Sequence, residues 1–435
     1  MIHSDEAKKN AIESLKIITE SDQRIQKAVL IHDIFGKLRL VVWSDNPSSV
    51  FTQILSESIG TPNCAAQFWS GEVWSTHEAS KADREVYDDA WDKAADVGSD
   101  RIRILERRRG RGFWFAPSIE PPWEAPELIG SEYPPIVLFY SFKGGVGRST
   151  AIAAIAMQLA AEGQRIVVVD ADLDAPGVGT LLAPDGEESI ARWGVTDYLL
   201  ERPVGPVDIR DYYHACRQEK IAGKGEILVV PAGRIDSEYL NKLSRLDFEP
   251  LSTSTETHPM ASLLQELRSH LKPRWILMDV RAGLSEPTGM LLSGFGHLHV
   301  LFGTSSQQSW HGLRLIIDRL GAERIRSGKP QMDCLLVQAM VPPAVELSQN
   351  AIGAFADQAR DEFSQHYFSA EEGENVWSMA DIESSDGPHV PIPISYDQKL
   401  GHFSGLSDVS ELLLNSDDYR RLTVRITARF GGQEK

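Results

Sequence analysis

The feature that most constrains the fold is a glycine-rich loop between a short apolar run and a segment with helical spacing. The apolar run is 136–142 (IVLFYSF), the loop is 141–150 (SFKGGVGRST), and the helical segment is 149–162. Glycines let backbone N–H groups approach an anion without a clash at Cβ, and the first turn of a helix directs its unbonded amides at the same place. The order of strand, loop and helix therefore predicts a phosphate-binding site.

Short apolar runs of the same kind recur after this loop. They show no polar alternation, and segments with helical spacing such as 259–271 and 307–320 separate them. Strands buried on both faces have this appearance, which is typical of a parallel sheet covered by helices. The sequence therefore predicts an α/β fold with a mostly parallel sheet for residues 136–435. The runs lie at 136–142, 166–170, 227–231, 275–279, 297–302, 334–338 and 390–394.

A proline-rich stretch separates this part of the chain from an N-terminal region with a different pattern. Six prolines lie within 117–135, which is expected to form an extended linker because proline fixes φ and removes a donor. Residues 1–116 are long enough for a small domain, and their pattern predicts an α+β module that could recognise a partner. Strand patterns lie at 28–32, 37–43, 101–107 and 113–116, and helical spacing lies at 48–59 and 82–95.

Composition and charge exclude several classes of function. The 435 residues carry 44 Lys and Arg against 62 Asp and Glu, a formal net charge of −18, which weighs against nucleic-acid binding over the whole surface. No apolar run approaches the roughly 18 residues that span a bilayer, and the first residues lack the apolar core of a signal peptide, so a cytoplasmic protein is expected. The cysteines Cys64, Cys216 and Cys334 are far apart in sequence, which argues against zinc sites, iron–sulfur clusters and disulfides.

Acidic residues stand where a parallel sheet collects its ligands. Asp170 ends one apolar run, with Asp172 and Asp174 after it, and Asp279 ends another. Ligands of parallel α/β sheets bind beyond the carboxyl ends of the strands, and phosphoryl transfer requires an oriented water and a metal ion. The carboxylates are therefore candidates for these tasks, with Asp174 expected to make a turn or switch contact.

The loop sequence KGGVGRST resembles the deviant Walker A motif of the ParA/MinD group of P-loop ATPases, in its KGGVGR-variant branch. The resemblance extends over about residues 134–430 through several spaced motifs. It implies a P-loop NTPase fold in which two subunits sandwich two ATP molecules with Mg²⁺. Lys143 matches the signature lysine, which reaches the phosphates of the partner subunit. Arg148 takes the place of the ordinary P-loop lysine; it can still grip phosphate oxygens through its forked donors, and slow hydrolysis is expected.

The resemblance also implies roles for single residues. Lys143 and Asp172 would be catalytic, Asp172 by positioning the attacking water. Ser149, Asp170 and Asp279 would hold Mg²⁺. Ala282-Gly283 resembles the family's switch II, whose backbone amide senses the γ-phosphate. The nucleotide-binding set is Gly144, Gly145, Val146, Gly147, Arg148, Ser149, Thr150, Gly283, Gln338 and Tyr396.

For three positions the sequence leaves two possible roles open. Arg281 could contact phosphate or a partner subunit, or it could form a surface ion pair. Gln338 and Tyr396 could contact the base, or they could have core and turn roles. The NKxD-type guanine motif is missing after the sixth strand, which favours ATP over GTP.

The sequence thus favours an ATP-driven switch that closes a homodimer and controls an unidentified protein partner. Two alternatives stay open: a non-hydrolysing ATP sensor or scaffold in a signalling or defence system, and a DNA-associated ATPase of ParA type. DNA binding would have to use the arginines at 101–111 with Phe113 and Trp114, but a solvated hairpin is favoured there. The terminal segment DYRRLTVRITARF is poor in large apolar residues, so a packed helix is expected rather than a membrane-binding one.

Overall fold

The structure is a computed structural model. In it the chain divides into two compact units, Met1–Gly110 and Arg111–Lys435. The proline-rich residues from Glu120 onward therefore belong to the second unit. Several residues of the expected arginine-rich hairpin, namely Arg108, Arg109, Arg111 and Phe113, lie outside the described residues, as does Pro117 in the expected linker. The structure describes all residues except 1–2, 108–113, 115–119, 128, 184–189, 247–257, 374–375 and 432–435.

The first unit contains, among its described residues, a five-stranded mixed sheet with helices on both faces. Its elements are α1 (Ser4–Ser21), β1 (Lys27–His32), β2 (Leu38–Trp43), α2 (Ser49–Ile59), β3 (Trp69–Ser75), α3 (Lys81–Lys93), β4 (Ala95–Asp96) and β5 (Ile102–Glu106). The strand order is β3-β2-β1-β5-β4, with β1 antiparallel to β2 and parallel to β5. Leu15 and Phe51 bring α1 and α2 into the core on one face. Trp91 on α3 packs against Trp43 on the other, with ring centroids 5.7 Å apart.

The second unit is built on a larger sheet. Its strands are β6 (Ile136–Ser141), β7 (Arg165–Ala171), β8 (His214–Cys216), β9 (Glu226–Val230), β10 (Trp275–Val280), β11 (Leu298–Gly303), β12 (Cys334–Val341) and β13 (Ile392–Ser395). In the described part of the chain they form one sheet in the order β13-β12-β11-β6-β10-β7-β9-β8, and every neighbouring pair is parallel except β8 with β9.

Helices cover both faces of this sheet. Along β6, Leu138 and Tyr140 enter one apolar core while Val137 and Phe139 enter the other, as expected for a strand buried on both faces. This arrangement confirms the predicted α/β class with a mainly parallel sheet. The helices are α4 (Arg148–Ala161), α5 (Val178–Leu181), α6 (Val195–Glu201), α7 (Glu219–Ala222), α8 (Tyr239–Arg245), α9 (Pro259–Leu271), α10 (Glu286–Leu292), α11 (Gln307–Leu320), α12 (Ala322–Arg326), α13 (Val345–His366), α14 (Leu406–Asn415) and α15 (Asp417–Ala428).

Helix α4 is buried nearly all round. Its alanines let α14 and α15 pack closely against it, and the Gln158 side chain donates to the Leu413 carbonyl at 3.1 Å. The last helix, α15, buries Tyr419, Leu422 and Ile426 in the same core. No helix in the described part of the chain has the length and hydropathy to cross a membrane.

The strand order decides where the functional side chains meet. Strand β10 lies between β6 and β7, and Asp279 on β10 pairs in register with Asp170 on β7 and with Phe139 on β6. Because the three strands are parallel, their carboxyl ends open at one edge of the sheet. The loop that begins α4 leaves β6 at that same edge.

Candidate functional site

The loop after β6 turns through two left-handed glycines before α4 begins. Gly145 has a φ of 74° and Gly147, the N-cap of α4, has a φ of 81°, which an L side chain rarely adopts. Open space surrounds a Cβ built on either glycine, so the conformation rather than crowding requires glycine here. Lys143 at the start of the loop is exposed, and Arg148 is the first residue of the helix. The result is a helix N-terminus that faces an exposed glycine loop.

Three aspartates meet at the end of β7 and β10. Asp170 and Asp279 are fully buried, and Asp172 is 5% exposed. The Ser149 hydroxyl in the first turn of α4 donates to Asp279 Oδ2 at 2.5 Å. The predicted candidates on the loop and on the two strands therefore come together in one place. Asp174 does not join them, because its side chain is exposed.

Arg148 occupies the centre of this carboxylate cluster. It is only 7% exposed, and its Nε donates to Asp279 Oδ1. One terminal nitrogen donates to Asp172 Oδ2 at 2.8 Å, and the other donates to the Ser141 hydroxyl at 3.1 Å. The resemblance implies that this side chain grips phosphate, but in the structure it points toward the carboxylates.

Burial and mutual repulsion shift the proton affinities of the cluster. Burial, reinforced by the charges of Asp279 and Asp172, raises the pKa of Asp170 to about 8. Burial also raises the pKa of Asp279, although Arg148 and Ser149 oppose that shift. For Arg148, burial disfavours the charge, but the two carboxylates outweigh it and raise the pKa of the guanidinium. Arg148 is thus the cation that allows negative charge to persist here.

Asp170 also organises the segment that follows β7. Its Oδ2 accepts from the backbone N–H groups of Gly177 at 3.1 Å and Gly179 at 2.9 Å. Its Oδ1 is buried and has no hydrogen-bond partner among the described atoms. A buried oxygen without a donor is costly, so this atom is the one in the cluster that is most available to a bound ligand.

The segment after β10 is attached to the end of β6. The Gly283 N–H donates to the Ser141 carbonyl at 3.1 Å, and Gly283 has a φ of 86°. Ser141 therefore contacts both Arg148 and Gly283, a role that the sequence did not indicate. Arg281 forms an ion pair with Asp174, which corresponds to the surface-pair interpretation of this arginine.

A small apolar pocket adjoins the other side of the loop. Gly147, Thr150 and Tyr396 line it, together with Met340, which the sequence analysis did not single out. Gln338 is not part of its lining. The register of β12 and β13 shifts between Gln338 and Val341, and Met340 has a φ of 60°, so Met340 is exposed beside the pocket. The buried Gln338 amide instead donates to the Ala351 carbonyl at 3.0 Å.

Arg101, directly before β5, and Arg103 on β5 have structural partners. Arg101 donates to the backbone carbonyls of Thr19, Ile25 and Gln26. The Arg103 guanidinium lies 4.4 Å from the centroid of the Trp91 ring. Within the described part of this stretch, a basic surface available to nucleic acid is therefore limited to the exposed Arg107 and its surroundings.

The cysteines and acidic residues form no separate metal centre in the described part of the chain. Groups of three or more His, Cys, Asp or Glu suited to hold a metal ion are absent from those residues. Cys64, Cys216 and Cys334 are buried thiols in separate parts of the fold, outside any disulfide. A metal ion at the aspartate cluster would therefore need additional ligands, such as the oxygens of a bound phosphate.

Comparisons with known proteins find similarity in the region that contains the glycine loop. Residues 133–202 match the ParA family model described as NUBPL iron-transfer P-loop NTPase. Over 160 residues the chain is 28% identical to the cytosolic Fe-S cluster assembly factor NUBP2 of Mus musculus, a match that covers 31% of this chain and 58% of that protein. Over 82 residues it is 38% identical to the iron-sulfur cluster carrier protein of Rickettsia bellii, covering 19% and 24%. The chain thus spans less than two thirds of the curated relatives it matches.

Two solved structures align with about two thirds of this chain. The pNOB8 ParA protein bound to nonspecific DNA gives a TM-score of 0.44 at 16% identity, covering 68% of this chain and 98% of that one. The cell division ATPase MinD of Pyrococcus furiosus gives 0.41 at 16% identity, covering 68% and 100%.

The parallel sheet, the glycine loop at the start of α4 and the aspartates beside it define the second unit as a P-loop NTPase. Residues 133–202, which include this loop and its first-position lysine, resemble the ParA family, whose model they match. The resemblance inferred from KGGVGRST is thereby confirmed.

Proposed function

We propose that this chain binds ATP with Mg²⁺ at the glycine loop, hydrolyses it slowly, and uses the nucleotide to control a homodimer that acts on a partner protein. The observation that carries the proposal is the meeting of Ser149, Arg148 and Asp279 at the N-terminus of α4, with the Ser149 hydroxyl 2.5 Å from Asp279. The similar protein NUBP2 is a cytosolic assembly factor, which supports a cytoplasmic setting for this chain.

Phosphate binding would use the backbone of the loop and the start of α4. The amides of residues 144–150 and the helix dipole favour an anion, with the Thr150 hydroxyl near the α-phosphate. The exposed Lys143 is suited to reach outward, and in the proposed dimer it would contact the phosphates held by the other subunit. Tyr396, which lines the pocket beside Thr150, would contact the base. Gln338 would not, because its amide donates to a backbone carbonyl instead.

The oxygen atoms of the cluster fit a magnesium ion. The Ser149 hydroxyl, Asp279 and the unpartnered Oδ1 of Asp170 are hard oxygen donors, which Mg²⁺ prefers together with phosphate oxygens. Bound Mg²⁺ would neutralise charge that develops on the phosphates. Ser149, Asp170 and Asp279 would hold it, and Asp279 would do so in competition with Arg148.

Hydrolysis would depend on Asp172. In the structure its Oδ2 accepts from Arg148 and its Oδ1 accepts from the Ala175 N–H at 3.1 Å, so both oxygens are engaged. Orienting a water requires at least one of them to be released. This engagement supports slow turnover, and it favours a second candidate function, in which the chain senses ATP without hydrolysing it.

The N-terminal unit would recognise the partner, which is a protein of unknown identity. DNA is not favoured, since Arg101 and Arg103 are occupied by carbonyls and Trp91. An iron–sulfur cargo, which the names of the relatives suggest for those proteins, is not proposed here because all three cysteines are buried.

Binding and turnover should be measured on the full chain. Wild type should bind a fluorescent ATP analogue in the presence of Mg²⁺, and Asp172→Ala should keep binding while losing at least tenfold in ATP turnover. Asp174→Ala is the matched control, because it removes a neighbouring exposed carboxylate and should retain turnover. Wild type that binds no ATP overturns the proposal, and equal turnover in wild type and Asp172→Ala removes the role of Asp172.

Dimerisation and the sensor alternative need their own measurements. Light scattering of Asp172→Ala should show a dimer with ATP and Mg²⁺ and a monomer without them, and Lys143→Ala should reduce the dimer. A monomer under both conditions contradicts the switch. Tight ATP binding without turnover in wild type, with turnover restored by Arg148→Lys, would favour the sensor.

A further inference from the structure

Arg148 holds the same carboxylate oxygens that a metal ion at this site would require. Its Nε donates to Asp279 Oδ1 while Ser149 donates to Asp279 Oδ2, so the protein itself engages both oxygens of Asp279. The guanidinium also pairs with Asp172 at 2.8 Å and is almost wholly buried. Two positive centres cannot share these oxygens without strong repulsion, because little water screens them.

We propose that Arg148 is a built-in competitor of the divalent cation at Asp279, so that metal loading and withdrawal of the guanidinium are a single exchange. This inference rests on the proposed nucleotide function and adds to it a regulation of the same site. Arg148 would have two positions: one on Asp279 and Asp172, as seen, and one toward the phosphates in the loop. The chain then cannot hold metal and keep its internal ion pairs together.

Arginine is specifically suited to this task. Its planar fork presents donors in several directions, and here three of them reach Asp279, Asp172 and Ser141 at once. A lysine at 148 has one compact charge and cannot bridge the same three partners. The substitution of arginine for the ordinary P-loop lysine therefore strengthens the internal competitor.

Ser141 links the exchange to the segment after β10. Its hydroxyl accepts from Arg148 while its carbonyl accepts from the Gly283 N–H at 3.1 Å. Withdrawal of Arg148 removes one of these two contacts. Ser141 therefore contacts both Arg148 and Gly283, the residue whose amide would sense the γ-phosphate.

The exchange is tested by cation binding without nucleotide. Mn²⁺, which electron paramagnetic resonance detects when free, serves as the probe and is titrated into the full chain. Arg148→Ala should bind Mn²⁺ at least tenfold more tightly than wild type, because two buried carboxylates lose their partner. Ser141→Ala, which removes a single contact of Arg148, should shift affinity in the same direction by a smaller factor.

Two controls separate this effect from a general loss of an arginine. Arg314 makes a two-bonded ion pair with the buried Glu362 on α13, which is not part of the aspartate cluster, so Arg314→Ala also strips a buried carboxylate and should leave Mn²⁺ affinity unchanged. The double variant Arg148→Ala/Asp279→Asn should lose the gain. If Arg148→Ala does not fold, Arg148→Lys replaces it, with an increase of several-fold expected.

Equal Mn²⁺ affinity in wild type and in every folded Arg148 variant overturns the proposal, as does a comparable gain in Arg314→Ala. This outcome is distinct from failure of the proposed function, which would appear as absence of ATP binding by wild type in the presence of Mg²⁺. An increase in Mn²⁺ affinity in Arg148→Ala supports the exchange even if the nucleotide turns out to differ.

Discussion

Arginines stand out in two regions of this chain, the strand β5 of the first unit and the start of α4 in the second. Directly before β5, Arg101 ties together three backbone carbonyls from the end of α1 and the segment that follows it. At the start of α4, Arg148 lies between two buried aspartates. Both side chains are well bonded, yet only one has partners that a ligand would also seek.

The comparison shows that the partner of an arginine, rather than its burial, distinguishes a structural role from a functional one. Backbone carbonyl groups are neutral, so they attract a metal ion far less strongly than carboxylates do, and they do not bind phosphate. Carboxylates are charged, and without their cation they would be costly in the interior. Removal of each arginine should therefore have consequences that differ in size and in kind.

The largest effect is expected for Arg148→Met. Loss of the guanidinium leaves Asp172 and Asp279 buried without a cation, which should lower the free energy of unfolding by about 3–5 kcal/mol. Urea unfolding followed by tryptophan fluorescence measures it. Addition of Asp279→Asn should restore part of the loss, because it removes one of the uncompensated charges. A loss under about 1 kcal/mol would contradict the view that Arg148 is the required cation.

The next effect concerns His299, a fully buried histidine on β11. Burial lowers the pKa of His299 to about 4, and its Nδ1 faces the Asp333 carbonyl. His299 is therefore neutral in the fold, so its stabilisation is complete above the unfolded pKa near 6.5 and is lost as pH falls toward 4. The loss amounts to about 3 kcal/mol at pH 4.

Replacement of this base checks the sign. His299→Asn cannot take up a proton, so its unfolding free energy should fall less steeply than that of wild type between pH 6.5 and 4. Urea titrations at several pH values give the slope. His214 and His258 have pKa values lowered to about 4 for the same reason and keep part of the slope in the variant. An unchanged slope would show that His299 is already charged in the fold.

Much of the second unit could be predicted because its signals are local. Apolar runs without alternation placed strands such as β6 and β10 within a residue or two of their observed bounds, and the glycine loop located the start of α4. Each pattern depends on a few consecutive residues, so one sequence is sufficient. The candidate aspartates followed from the same logic, since parallel strands collect their ends at one edge.

Other features depend on contacts between distant residues. The direction of Arg148 is decided by Asp279, which lies 131 positions away, and no spacing rule shows whether an arginine turns toward a loop or away from it. The exposure of Met340 beside the pocket depends on a shift in register after Gln338, which alternation along β12 does not reveal. Helix α1 matches none of the predicted segments, since its buried stripe begins with the alanines Ala7 and Ala11, which give a weak apolar signal.

A smaller effect is expected for Arg101→Met. It leaves the carbonyls of Thr19, Ile25 and Gln26 without their donor, at a cost of about 2 kcal/mol, since water can reach part of this site. ATP-analogue affinity of the same preparation should match wild type, which separates this arginine from Arg148. A loss of nucleotide binding in the folded variant would contradict the structural role of Arg101.

The smallest effect is expected where an arginine acts through an aromatic ring. Arg103 lies over one side of Trp91 and Lys27 lies 4.3 Å from the same ring, so the ring has two cations as neighbours. Because each such contact contributes about 1 kcal/mol, Arg103→Met should lower the unfolding free energy by roughly that amount. Arg107→Met, on the exposed end of the same strand, is the matched control and should change it little.

A double-mutant cycle of Arg103→Met with Trp91→Leu would isolate the ring contact, because the backbone hydrogen bond from Arg103 to the Trp91 carbonyl survives the second change. A coupling energy near zero would mean that Arg103 stabilises the sheet through this backbone bond alone. A coupling near 1 kcal/mol would mean that the ring is its partner, as the geometry indicates. Either value leaves β5 with a structural arginine, whereas only a carboxylate partner makes an arginine responsive to a ligand.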